Sequence, residues 1–189
     1  MRGYKRCYAC LKIIHDEKGE YWNNKLPCPF CGKESESWEI WPFGAPDFLR
    51  IAEKQDKYDG DGLRASLIFI CTAVEILVDD VISKMLWRRA YYGPHVEIIM
   101  DSFTGISRKE GLFRKLRGIS LKKIMEANGD INFYNNWQKL IQIRNLLIHG
   151  NYWAKTLEDW PVAEVANNCI SVFSRVNNNA MEFISHEFM

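Results

Sequence analysis

Leu140-Ile141-Gln142-Ile143-Arg144-Asn145-Leu146-Leu147-Ile148-His149-Gly150 reads as an apolar helix with an arginine set into its apolar face. At about 100° per residue, Trp137, Leu140, Ile141, Leu147 and Ile148 share one face, and Arg144 falls near its middle. Arginine is almost never buried without a partner, so this stretch demands either a counter-charge or a cover from outside the chain. Asn145 and His149 form an i,i+4 pair on an adjacent face, and Gly150 reads as the residue that ends the helix.

Working outward, Asn128-Gly129-Asp130 is a turn that lets this helix start near Phe133. Upstream, Leu67 to Ile82 is apolar nearly all round, which predicts a central helix from Arg64 to about Tyr91, ended by Gly93-Pro94. Glu75 is the lone charge in its middle. It either sits at an edge facing water or pairs with Arg144, the other misplaced charge. Cys71 and Cys169 read as small core residues. Asp47 suits the N-cap of a helix to about Tyr58, followed by a turn at Asp59-Gly60-Asp61-Gly62. Trp160-Pro161 opens a last amphipathic helix to about His186. Residues 107–119 carry Arg108, Lys109, Arg114, Lys115 and Arg117 on a helical pattern, with a short helix starting at Leu121. This cluster is either a solvated helix face or a phosphate-contacting surface. The sum is an all-α bundle of about five helices with antiparallel neighbours.

The chain has 189 residues, 47% hydrophobic and 13% aromatic, enough for one full domain plus a small module. Its 25 basic and 24 acidic residues leave a net charge of +1, so any nucleic-acid contact must come from a local patch. The longest apolar run, Leu67 to Val78, is interrupted by Thr72 and Glu75 and falls short of the roughly 20 residues that span a bilayer. No basic and apolar leader pattern stands at the N-terminus. The expectation is a cytoplasmic protein with no membrane contact.

Residues 1–40 differ in kind from residues 41–189. They hold four of the six cysteines, as Cys7-x-x-Cys10 and Cys28-Pro29-Phe30-Cys31-Gly32, with 17 residues between the pairs. Each C-x-x-C turn aims two thiolates at one point, and two such knuckles close a tetrahedral cage, so the spacing predicts a structural Zn²⁺ site in a zinc ribbon. Metal binding would then supply the folding energy of so small a module. Disulfides would need an oxidising compartment, and a redox C-x-x-C would need a βαβ context that is missing. His15 lies between the knuckles, but four cysteines complete the shell. Tyr8 to Ile14 and Glu20 to Trp22 are the expected strands. Residues 38–47 read as a packed linker, broken by Pro42, Gly44 and Pro46 and anchored by Trp38, Trp41 and Phe43.

An arginine can grip a phosphate through two parallel hydrogen bonds, and a histidine can exchange a proton near neutral pH. Together they suffice for metal-independent RNA cleavage, in which a deprotonated 2′-hydroxyl attacks the adjacent phosphate. One histidine per chain is thin for both acid and base roles, so a twofold site shared by two subunits would be more capable.

Arg144-Asn145-x-x-x-His149 resembles the R-[N/H/D]-x₃₋₅-H signature of HEPN domains, and the likeness covers roughly residues 47–187 through the long apolar helix and the late position of the motif. HEPN domains are small all-α bundles, many of them metal-independent ribonucleases of bacterial toxin–antitoxin and antiphage systems. The resemblance implies Arg144 and His149 as the catalytic pair, Asn145 as an orienting or phosphate-binding residue, RNA as substrate, a homodimer with a composite cleft, and an antitoxin or other protein as partner. Other HEPN domains are non-catalytic adaptors or binding modules. One branch carries R-x₄-H-x-Y, with a tyrosine modified by a partner enzyme; here His149-Gly150-Asn151-Tyr152 is one residue too long, leaving Tyr152 a weak counterpart.

Overall fold

The computed structural model describes residues 3–23, 26–34, 38–55, 60–91, 93–149 and 160–187. Tyr58, Gly150 and Tyr152 therefore lie outside the described residues. The N-terminal module holds β1 (Gly3–Cys7), β2 (Ile13–Asp16), the one-turn α1 (Glu20–Asn23) and β3 (Trp38–Ile40). The strands form an antiparallel sheet in the order β2-β1-β3, with Lys5 opposite both Ile14 and Ile40. The sheet differs from the expected strands. Tyr8 to Leu11 is the turn of the first knuckle rather than a strand, because both cysteines must face one point. Glu20 to Trp22 belongs to α1.

The rest of the chain is helical: α2 (Ala45–Glu53), α3 (Gly60–Arg88), α4 (Gly93–Ser102), α5 (Ile106–Arg117), α6 (Leu121–Ala127), α7 (Ile131–Ile148) and α8 (Val162–Glu187). Seven helices stand in this part of the chain, among the described residues, where about five were expected. The short helix expected from Leu121 is α6, and the one not expected is α4. Gly93-Pro94 reads as a stop, yet proline is equally at home in a helix's first turn, and here it begins α4. Gly60 to Gly62 likewise form the first turn of α3 rather than a separate turn, and Gly44, not Asp47, is the N-cap of α2. Asp47 instead meets Arg50 at 3.2 Å within the helix.

The central position of α3 follows from its composition. Leu67, Ile70, Val74, Leu77, Val81 and Met85 are all buried, and the helix packs on α2, α4, α5, α7 and α8. Against it lies α8, whose Val165, Cys169, Val172, Val176 and Ala180 recur at three- and four-residue steps and are all buried. Burial pushes the Cys71 and Cys169 thiols up to about 12, as befits inert core residues. The indole of Trp137 meets Phe173 edge-on, 6.0 Å between centroids, and locks α7 onto α8. No described helix is long and apolar enough to cross a membrane.

The N-terminal module and the bundle share one core, in which Leu11, Ile13 and Trp41 pack among the helical residues. Of the expected linker anchors, Trp38 and Trp41 are buried. Phe43 is 87% exposed and anchors nothing among the described residues. The contact is also polar. Arg6, 1% exposed, donates to both carboxylate oxygens of Asp80 on α3, and the Trp41 indole donates to the same carboxylate at 2.8 Å. From α8, Asn177 Nδ2 donates to the Leu11 carbonyl at 2.9 Å. The Asn178 amide pairs with both backbone groups of Ile13, accepting at 2.6 Å and donating at 2.7 Å. Asn178 thus stands in for a strand along β2 and satisfies a sheet edge that would otherwise be left without partners.

Candidate functional site

The predicted site residues fall mainly in two places, the cluster of four cysteines and the end of α7.

The cysteine sulfurs of Cys7, Cys10, Cys28 and Cys31 all lie within 4.8 Å of one another. The two knuckles have matching backbones. The Leu11 N–H donates to the Cys7 carbonyl at 2.8 Å and the Gly32 N–H to the Cys28 carbonyl at 2.8 Å. The Cys7 N–H donates to Lys12 at 2.9 Å and the Cys28 N–H to Lys33 at 3.0 Å. Both turns have a left-handed residue directly after the second cysteine. Gly32 adopts φ 67°, and Leu11, without glycine's freedom, is held at φ 59°. The Leu11 side chain is buried in the shared core, which fixes that backbone shape. Across the knuckles, Cys7 and Cys31 sulfurs are 3.9 Å apart and Cys10 and Cys28 sulfurs 3.7 Å. A tetrahedral cage with Zn–S bonds of about 2.3 Å has edges of about 3.8 Å, so the four sulfurs fit such an ion. Disulfide bonds need sulfurs about 2.05 Å apart, which these distances exclude. Burial pushes the Cys10 and Cys28 thiols up. At the exposed Cys31 burial also acts upward, but hydrogen bonds from the Lys33 backbone and the neighbouring thiols bring the net shift down. His15 stands apart from this cluster, stacked on Tyr4 at 4.5 Å between ring centroids.

At the other site, Arg144 turns inward. Its Nη1 donates to Glu75 Oε1 on α3, and its Nη2 donates to Asn145 Oδ1 at 3.3 Å. The pairing of the two misplaced charges decides between the two readings of Glu75. Asn145 and His149 are exposed, and the His149 side chain has no partner among the described residues. Five residues separate Arg144 from His149, which is about 140° around a helix, so one chain turns the two side chains to different sides. Along the apolar stripe Trp137, Leu140 and Ile141 are buried and Leu147 is half-buried against the core, while Ile148 at the helix end is 62% exposed, as is the neighbouring Leu146 at 43%.

The basic segment divides. Lys109 turns back to Asp79 on α3 at 2.7 Å. Arg117 donates to Asn179 at 2.9 Å and lies 4.0 Å over the Phe183 ring. These two are paired within the chain. Arg108, Arg114 and Lys115 are exposed. The Arg6–Asp80 pair, which joins module and bundle, carried no signal in the sequence. An arginine in a short strand looks like any surface charge until its counter-charge, 74 residues on, is known.

No protein-family model, curated protein or solved structure matches the chain.

Proposed function

We propose that this chain is a metal-independent endoribonuclease of the HEPN type that acts as a homodimer, in the role of a bacterial toxin or antiphage effector held in check by a protein partner. The observation that carries this reading is the end of α7, where an exposed Asn145 and His149 adjoin a half-buried Arg144 beside exposed Leu146 and Ile148. Because Arg144 and His149 point about 140° apart, a working pair needs two copies of α7 facing each other. His149 of one subunit takes the proton of a ribose 2′-hydroxyl, the oxygen bonds to the adjacent phosphorus, the bond to the 5′-oxygen breaks, and the protonated His149 of the partner subunit gives that departing oxygen its proton. Arg144 holds the phosphate oxygens as charge builds on them. The cysteine cluster holds a structural Zn²⁺ that shapes the N-terminal module and takes no part in cleavage.

A second reading, a non-catalytic adaptor whose helical part only dimerises, is favoured by the Arg144–Glu75 pair, since an arginine already neutralised has less to offer a phosphate. Purified wild-type chain incubated with single-stranded RNA, beside His149→Ala, separates the two. The ribonuclease reading expects cleavage that His149→Ala abolishes with no change in melting temperature, and a dimer that Ile148→Asp converts to monomer in sedimentation. No cleavage by wild type, or equal cleavage by His149→Ala, overturns it in favour of the adaptor.

A further inference from the structure

Between α5, the start of α6 and the first half of α7 lies a cavity of about 240 Å³ lined by Ser107, Gly111, Arg114, Ser120, Lys122 and Tyr134, with Glu110 on its inner wall. Gly111 is the unexpected member. Inside a helix glycine costs about 1 kcal/mol relative to alanine. Two reasons usually justify it, a left-handed backbone or a neighbour too close for a Cβ. Neither holds: its φ is not positive, and a Cβ built there meets nothing within 4 Å. What the missing side chain leaves is bare helix backbone facing a polar cavity, which suits close approach of a ligand.

The lining says which kind. Arg114 and Lys122 are exposed at the mouth, with no ion-pair partner among the described residues. The Ser120 hydroxyl accepts from the Lys123 N–H at 3.3 Å, which leaves its proton to donate. On the inner wall Glu110 accepts from Gln138 Nε2 at 3.2 Å and from Tyr134. Burial, then the nearby Glu110, push the Tyr134 hydroxyl up to about 12, so it stays protonated. Two cations and a hydroxyl donor stand with a carboxylate acceptor, Glu110, one helical turn along α5 from Arg114, and match a small ligand that carries an anionic group and hydroxyl donors about a turn's length apart. The volume is below the roughly 300–1,000 Å³ that encloses a whole drug-sized ligand.

We propose that this cavity binds one ribose-phosphate unit of a nucleotide, the phosphate between Arg114 and Lys122, the sugar against the bare backbone of Gly111, and a ribose hydroxyl donating to Glu110. Tyr134, Gln138, Asn145 and His149 follow one stripe of α7, and 15 residues of helix rise about 22 Å. An RNA strand lying along that stripe would reach from the cavity to the helix end. That last placement rests on the ribonuclease reading; the binding of ribose phosphate does not.

The test is calorimetric titration of the full chain with AMP, adenosine, inorganic phosphate and a short oligouridylate at one salt concentration. AMP or the oligouridylate should bind saturably and adenosine should not. Arg114→Ala and Gly111→Leu should each weaken binding by about tenfold or more, the loss of a charge-assisted hydrogen bond or of the space itself, whereas Lys115→Ala should not. Gly111→Leu should also melt higher, since its side chain enters open space on a helix, which separates plugging from unfolding. Binding of AMP identifies a free nucleotide as sufficient, and binding of the oligouridylate alone identifies the RNA chain as the source. No binding of either, or a loss with Arg114→Ala that Gly111→Leu does not share, overturns the proposal. Binding without cleavage leaves the cavity standing and removes the ribonuclease reading; cleavage with no effect of either variant on binding does the reverse.

Discussion

Arg144 on α7 and Glu75 on α3, 69 residues apart in sequence, form an ion pair at the edge of the core, with side chains 17% and 25% exposed. Removing one partner leaves a largely desolvated charge alone. Glu75→Ala should therefore destabilise the chain by about 1–3 kcal/mol, below the range for fully buried pairs because water still reaches this one. The double variant Glu75→Ala/Arg144→Ala should be more stable than the sum of the singles predicts, by about 1 kcal/mol or more in urea denaturation. Additive losses would mean that the pair contributes no net coupling.

The amide of Asn178 satisfies the N–H and the C=O of Ile13 at once. Asn178→Ala should leave both groups without a protein partner and cost about 2–3 kcal/mol. Asn178→Asp, which keeps the acceptor and loses the donor, should fall between the two. Chemical denaturation followed by circular dichroism measures both, and the zinc content of the purified variants should not change.

The sulfur spacing is compatible with one zinc ion, and the expected outcome of elemental analysis is one zinc per chain. Stripping the metal with a chelator should lower the melting temperature by at least about 5 °C, because binding energy in such a module is folding energy. Trp38 packs against the cysteine cluster, so its fluorescence should shift to the red in the same titration. Cys28→Ser should reproduce both effects without chelator.

Burial holds Glu110 above the ordinary carboxylate range, against a lowering hydrogen bond from Tyr134. A raised folded-state value means the folded chain holds this proton more tightly. The stability it contributes is fully present below the unfolded value of about 4.5 and is lost as pH rises through the folded one. Glu110→Gln is neutral throughout. Its melting temperature should exceed wild type by about 2 °C at pH 7, and the difference should vanish below about pH 4. A constant difference across that range would assign the effect to packing.

The helices that carry the core were legible because their patterns are long: α7 and α8 show three- and four-residue apolar steps over several turns, and α3 is apolar nearly all round over more residues than a strand would use. The cysteine cluster was legible because its spacing states its geometry. The paired charges Glu75 and Arg144 could be suspected since each breaks an apolar pattern, and a broken pattern needs a reason. What escaped was short or ambiguous. β1 and β3 are too brief for alternation to register, and Gly93-Pro94, which reads as a stop, opens α4 five residues after α3 has ended at Arg88. Arg6 sits in a strand where a charge looks unremarkable, and Lys109 and Arg117 looked like a surface because a run of cations does not say which of them turn inward. At the end of α7, the five-residue step from Arg144 to His149 turns those two side chains to different sides of the helix, while Asn145 and His149 keep the i,i+4 spacing of one face.

The clamp from α8 onto the first knuckle also sets an order of events during synthesis. Cys7, Cys10, Cys28 and Cys31 leave the ribosome within a few tens of residues of one another and can close on a metal early. The Asn178 amide that holds Ile13 is made 165 residues after it. At roughly 5–20 residues per second, the finished knuckle waits on the order of 8–33 s for the helix it docks against. Throughout that interval Leu11 and Ile13 lack the helices they pack against, and the module has only its own strands, the small cluster around Trp38 and its four cysteines to keep its shape.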